Sequence, residues 1–248
     1  MTAPTLTITG ACATLTLQRP EQANRLEPDD LAVVCDHIDT VNANPAVRVL
    51  RLQSTGKYFC SGYDIGRIGV ARVVPFDEMV NRLEDARPVT IAVLQGGVYG
   101  GATDLALACD FRLGTAAVDM FMPAARLGLH FYRRGLERYV SRLGLDQAKR
   151  LFLTAERIGA DEMKAIGFLT ELLPTDGLLA RADALTAALC SHAPLAVLGM
   201  KKHLNRIARG ALDADELQHD ITRSLQSQDL QEGRAAWADK RVPDFQGH

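Results

Sequence analysis

The chain has 248 residues, 47% apolar and 23% charged, with 28 Lys and Arg against 30 Asp and Glu for a net charge of −2. This is the balance of an ordinary globular protein, which excludes a disordered, collagen-like or low-complexity chain. A chain of this length buries about 70–75% of its unfolded surface, so its core needs no staples, and its near-neutral charge gives no footprint for nucleic acid or an anionic membrane.

Thr5 to Thr9 and Thr14 to Leu17 alternate Thr with Leu or Ile around Gly10, which predicts a hairpin. The stretch up to Gln18 lacks the basic start and compact apolar run of a signal peptide. Pro28-Asp29-Asp30 opens an apolar-periodic helix reaching Val41. Val47 to Leu52 predicts a strand, Gly56 to Gly69 an irregular glycine-rich stretch, and Pro75 to Ala86 a helix. Val89 to Leu94 predicts a fully apolar strand, Leu105 to Ala108 a buried helix, and Phe111 to Leu113 a short strand. Strands alternating with helices imply parallel βαβ units. From about Gly135 strand signals nearly vanish. Helical patterns cover Leu145 to Leu153, Ala160 to Ile166, Leu178 to Ser191, Leu195 to Ala208, Asp213 to Ser227 and Gln231 to Lys240. The expectation is an α/β core over 1–190 and a helical segment over 191–248 of the same unit. The apolar run from Ala184 to Met200 is too short, and too broken by His192 and Pro194, to span a membrane. Five scattered cysteines without CxxC spacing predict no disulfide framework and no metal site, and point to the cytoplasm.

Two segments put small residues just after an apolar strand: STGKYFCSGYD, Ser54 to Asp64, and QGGVYGGATDLALACD, Gln95 to Asp110. Ligands of parallel sheets bind beyond the carboxyl ends of strands. Two backbone N–H groups converging there can hold a developing negative charge as an oxyanion hole. Taken alone, such glycines equally serve turns and close packing. Neither segment is a phosphate loop.

The segments RPEQANRL (Arg19 to Leu26), STGKYFCSGYDI (Ser54 to Ile65) and GGVYGGATDLALACD (Gly96 to Asp110) resemble the crotonase superfamily of enoyl-CoA hydratases and isomerases. The similarity continues through FMPAARLGL (Phe121 to Leu129) and Arg142 to Leu169. It extends through HAPLAVLGMKKHL (His192 to Leu204) and SQDLQEGRAAWADKRVPDF (Ser227 to Phe245). The resemblance implies an α/β fold with a ClpP/crotonase-like βαβ spiral core and a helical C-terminal trimerisation region. It implies a homotrimer or a hexamer of paired trimers, an acyl-CoA substrate, and no cofactor beyond the coenzyme A of that substrate. It assigns the oxyanion hole to the backbone N–H groups of Tyr63 and Gly101. Arg25, Ser61, Asp64, Ile65, Gly100, Lys240 and Phe245 become candidates for binding CoA or substrate, the last two in some relatives across a subunit boundary.

Relatives that hydrate a double bond use two glutamates, one activating water and one moving a proton. The first position is Asp104, a carboxylate one methylene shorter, which read by itself is also a helix-start acid favoured by the helix dipole. The second is Ala124, which moves no proton. The segment GLHFYRRG that follows supplies His130 and Tyr132 as candidate replacement acids, and Arg133 and Arg134 as candidates for a substrate carboxylate. The expected activity is enolate stabilisation on an acyl-CoA thioester, with ordinary two-glutamate hydration in doubt. The alternatives are a decarboxylase of the methylmalonyl-CoA type, a thioester or β-diketone hydrolase, and a CoA-binding protein without catalysis.

Overall fold

A computed structural model describes residues 2–64, 66 and 74–248. Its main sheet has six strands: β1 (Thr5–Thr9), β2 (Cys12–Leu17), β3 (Val49–Ser54), β4 (Val89–Leu94), β6 (Phe111–Thr115) and β9 (Glu171–Leu173). Spatial order follows that sequence, with β1 and β2 antiparallel and every later pair parallel. A smaller sheet pairs β5 (Val98–Tyr99) with β7 (Asp119–Phe121) in parallel, and β7 with β8 (Ile158–Gly159) antiparallel. The strands beyond Gly135 are two or three residues long, too short for a period-of-two signal to emerge.

Alternation decides which helix covers which face. Leu50 and Leu52 of β3 and Ala92 and Leu94 of β4 enter the larger core, beneath α1 (Pro28–Ala43), α2 (Phe76–Glu84) and α3 (Gly101–Ala108). Val49, Ile91, Val93 and Leu113 point the other way, onto Leu178 and Ala182 of α7 (Leu178–Cys190). Because β4 is covered on both sides all six of its residues are buried; five are apolar, and the sixth, Thr90, is satisfied by Asp110.

After β7 come α4 (Arg133–Leu143) and α5 (Leu145–Thr154), and α6 (Ala160–Ala165) lies between β8 and β9. The chain then runs through α8 (Pro194–Ala208), α9 (Ala214–Leu225) and α10 (Gln228–Asp239). Lys201 of α8 docks on the sheet, bonding the Pro88 carbonyl at 2.5 Å and Asp110 at 2.8 Å. Among the described residues no single helix is long and apolar enough to cross a membrane. Helix α4 was not expected from the sequence. Leu136, Tyr139, Val140 and Leu143 do recur at helical spacing, but they are set among Gly135 and four arginines, one of which, Arg138, is buried.

Candidate active site

β3 and β4 are parallel neighbours, so the segments that follow them leave the same edge of the sheet. The first runs beside the second: the Phe59 N–H donates to the Gly97 carbonyl at 3.1 Å and the Tyr99 N–H to the Cys60 carbonyl at 3.0 Å. Asn24 holds the first segment from behind. Its side-chain amide donates to the Thr55 carbonyl at 2.8 Å and the Tyr58 carbonyl at 2.9 Å. The adjoining Arg19 is buried in a fork to Asp30, 2.6 and 3.1 Å. The Arg19 to Leu26 motif thus acts as a brace for the loop.

Gly62 shows how tight the junction is. Its φ is +96°, and a Cβ would stand 2.7 Å from the Tyr99 carbonyl oxygen and 3.1 Å from the Gly101 nitrogen. The next residue, Tyr63, bridges Leu26 in parallel: Leu26 N–H donates to the Gly62 carbonyl and Asp64 N–H to the Leu26 carbonyl. That pattern turns the Tyr63 peptide N–H away from Leu26. Gly101 is the first residue of α3, so its N–H belongs to the first-turn donors a helix leaves unsatisfied. Tyr63 and Gly101, the expected oxyanion pair, are therefore brought to one place. The Gly100 N–H donates to the Phe121 carbonyl at 3.0 Å, which sets the turn carrying Ala124 alongside. Ala124 is buried at the start of a short 3-10 turn, Ala124–Leu127.

Asp104 lies one turn into α3 and is fully buried. Both of its oxygens are engaged. Arg138 of α4 donates from Nε to Oδ1 at 2.9 Å and from Nη2 to Oδ2 at 2.8 Å. The Tyr132 hydroxyl also donates to Oδ2. Burial and the Asp104 charge hold the Tyr132 phenol well above its ordinary range, against the opposing pull of Arg138. Burial disfavours the Arg138 charge, but the bond to Asp104 and the charges of Asp104 and Glu84 outweigh it. The group is thus a carboxylate locked to a guanidinium, with a neutral phenol resting on it. Gly135 makes room for that phenol, since a Cβ there would come within 2.2 Å of the Phe131 ring and 2.9 Å of the Tyr132 ring. Phe131 stacks on Tyr132 at 4.3 Å.

Phe76 opens α2 and joins the two halves of the site. Its ring centroid is 5.8 Å from Tyr63 and 6.4 Å from Tyr132, and a Cβ on Gly101 would meet it at 2.6 Å. Tyr63, Phe76 and Tyr132 therefore form an aromatic wall over the Gly101 backbone.

The other expected residues divide. Arg25, Ser61 and Asp64 come together on one edge: Arg25 stands 3.8 Å from Asp64, and the Ser61 N–H donates to the Ala23 carbonyl at 2.9 Å. Gly100 lies in the junction itself, and Ile65 falls outside the described residues. Lys240 is exposed beyond α10. The Phe245 carbonyl accepts from Arg48 at 2.8 Å, next to the start of β3, whereas Ser61 and Asp64 follow its far end. A six-residue strand is about 20 Å long, so Phe245 does not join this edge within the chain. His130 is exposed, with Nδ1 2.7 Å from the Phe131 carbonyl, and does not enter the Asp104 cluster. Arg133 pairs with Glu137, and Arg134 with Glu84 and Asp85, so neither arginine faces the aromatic wall as a carboxylate binder. Sequence reading missed Arg138, Glu84 and Phe76. The available signal was four arginines between positions 133 and 142, more than one exposed helix face needs.

The enoyl-CoA hydratase/isomerase family model matches residues 7–248. The putative enoyl-CoA hydratase/isomerase YngF of Bacillus subtilis is 30% identical, over 95% of this chain and 94% of that protein. The crotonyl-CoA hydratase of Syntrophomonas wolfei is also 30% identical, over 94% of each chain. Among solved structures, a putative enoyl-CoA hydratase from Streptomyces coelicolor superposes with a TM-score of 0.90 at 27% identity, covering 100% of this chain and 95% of that one. An enoyl-CoA hydratase from Bacillus anthracis gives 0.90 at 25% identity, with both chains covered completely. The protein belongs to the enoyl-CoA hydratase/isomerase family of the crotonase superfamily.

Proposed function

We propose that the protein is an acyl-CoA lyase. It stabilises a thioester enolate at the backbone N–H groups of Tyr63 and Gly101 and protonates that enolate from Tyr132. The observation that carries this reading is the engagement of both Asp104 oxygens by Arg138, with the Tyr132 phenol donating to one of them. A carboxylate so held is a poor water activator, and Ala124 offers no second one. The phenol, kept neutral by burial and by Asp104, is an acid and not a base. An enolate in this site is best made without proton abstraction.

Loss of CO₂ from a malonyl-type thioester meets that condition. The bond between Cα and the carboxylate breaks, its electron pair becomes the enolate, and CO₂ leaves. The Tyr132 hydroxyl rotates from Asp104 and gives its proton to Cα, a carbon far more basic than a phenolate. Solvent restores the phenol. Arg138 offsets the charge that passes to the Tyr132 oxygen, and the aromatic wall gives the departing carboxylate an apolar setting in which charge dispersal is favoured. Preorganised donors at an oxyanion contribute on the order of 3–4 kcal/mol each.

The test is CO₂ release from malonyl-CoA and methylmalonyl-CoA by the wild type and by Tyr132→Phe. The expected result is turnover by the wild type and a loss of about 100-fold or more in the variant, the range of general acid catalysis. No CO₂ release, together with ready crotonyl-CoA hydration, overturns it in favour of a second reading, hydration. That reading is supported by similarity to proteins named crotonyl-CoA hydratase and 2,3-dehydroadipyl-CoA hydratase.

A further inference from the structure

We infer that Glu84 is a positioning residue that ties the Tyr132–Asp104 pair to the C-terminal helices; this rests on the reading of Tyr132 as proton donor. Glu84 ends α2 and is 3% exposed. Its Oε2 accepts from Arg138 Nη1 at 2.9 Å, from Arg134, and from Arg209 at 3.1 Å, while Arg142 stands 3.7 Å from Oε1. Among the described residues four guanidinium groups thus converge on one buried carboxylate. Asp85 shares two of them, Arg134 and Arg209.

The fork of Arg138 explains what this does to the site. Nε and Nη2 hold Asp104, Nη1 holds Glu84, and both terminal nitrogens bond Asn81 Oδ1 at 3.2 Å. The guanidinium is planar and rigid, so fixing one end fixes the other. Glu84 and Asn81 of α2 therefore set the plane in which Arg138 meets Asp104, and Asp104 in turn sets the resting place of the Tyr132 hydroxyl. The C-terminal region grips the same residue twice. Asn205 of α8 donates to the Glu84 backbone carbonyl at 3.1 Å, and Arg209, just past that helix, bonds its side chain. The path Arg209–Glu84–Arg138–Asp104–Tyr132 is one continuous chain of charged and hydrogen-bonded contacts. A cluster that merely fastened α2, α4 and α8 together would change stability without moving the phenol.

The test uses the full-length protein with ring-labelled tyrosine. The Tyr132 carbon resonance is assigned by its loss in Tyr132→Phe and followed in Glu84→Gln, Arg209→Gln and Arg209→Lys, each first shown to be folded. The second readout is kcat against KM on the CoA thioester the wild type turns over. Glu84→Gln is expected to shift the Tyr132 resonance and lower kcat about 10- to 100-fold, the cost of sub-ångström misplacement, with KM unchanged. Arg209→Gln is expected to do the same more weakly, and Arg209→Lys to recover part of the loss. Folded variants whose Tyr132 resonance and kcat match the wild type overturn the inference. If Glu84→Gln does not fold, Arg209→Gln is judged by the same two readouts. A shifted resonance with no wild-type turnover on any acyl-CoA upholds the positioning role and overturns the proposed reaction instead. An unmoved resonance in an enzyme that decarboxylates malonyl-CoA does the reverse.

Discussion

Tyr132→Phe removes one oxygen and leaves the ring stacked on Phe131, so CoA-thioester binding should survive while turnover falls. Asp104→Asn is a different experiment. It removes one of the two carboxylates that hold the buried Arg138, leaving that guanidinium to Glu84 alone, so the loss of a buried ion pair destabilises the fold. Activity lost in that variant reports on folding as much as on chemistry, and the Phe variant is the cleaner probe. Gly62→Ala should fail for a backbone reason. It puts a Cβ into the left-handed region and 2.7 Å from the Tyr99 carbonyl, so a drop in melting temperature with loss of CoA binding is expected. Asp104 and Ala124 were legible in the sequence because they stand at motif positions. Arg138 was not, because a charged residue inside a helix carries no local sign of the carboxylate it will meet across the fold.

At the scale of elements, the two glycine-rich segments were legible because parallel strands send their following loops to one edge. Helix α4 was overlooked although Leu136, Tyr139, Val140 and Leu143 recur at helical spacing, because Gly135 and four arginines surround them. This arrangement bears on any attempt to restore a second carboxylate. Ala124→Glu alone should not create a hydratase, because Asp104 remains engaged by Arg138 and Tyr132 at both oxygens. Crotonyl-CoA hydration by that variant no faster than by the wild type is the expected outcome. A large gain would mean that Asp104 was available all along. The hairpin strand begins at Cys12, two residues before the Thr14 expected from alternation, because Cys12 pairs with both Thr9 and Val49.

At the scale of the molecule, the helical C-terminal region was expected, but its link to the site through Arg209 and Glu84 was not, since ion pairs between distant segments leave no periodic trace. The same region should respond first to acid. Arg206 and Lys202 lower the Glu216 carboxyl from its ordinary 4.5 to about 2. Arg241 and the Asp244 N–H do the same for Glu232. A lowered carboxyl contributes stability that is complete above about 4.5 and is lost as pH falls toward 2. Amide exchange in α9 and α10 should therefore accelerate in that window before exchange in β3 and β4. Equal acceleration throughout would contradict it.

An enolate made without a base and protonated by Tyr132 can be sought by following malonyl-CoA and crotonyl-CoA turnover side by side under one set of conditions. The prediction is decarboxylation of the malonyl thioester, with crotonyl-CoA bound but hydrated far below the usual enzymatic turnover of about 10 s⁻¹. Hydration near that rate, with malonyl-CoA untouched, would mean that the site activates water and that Tyr132 is not the proton donor to a decarboxylation enolate.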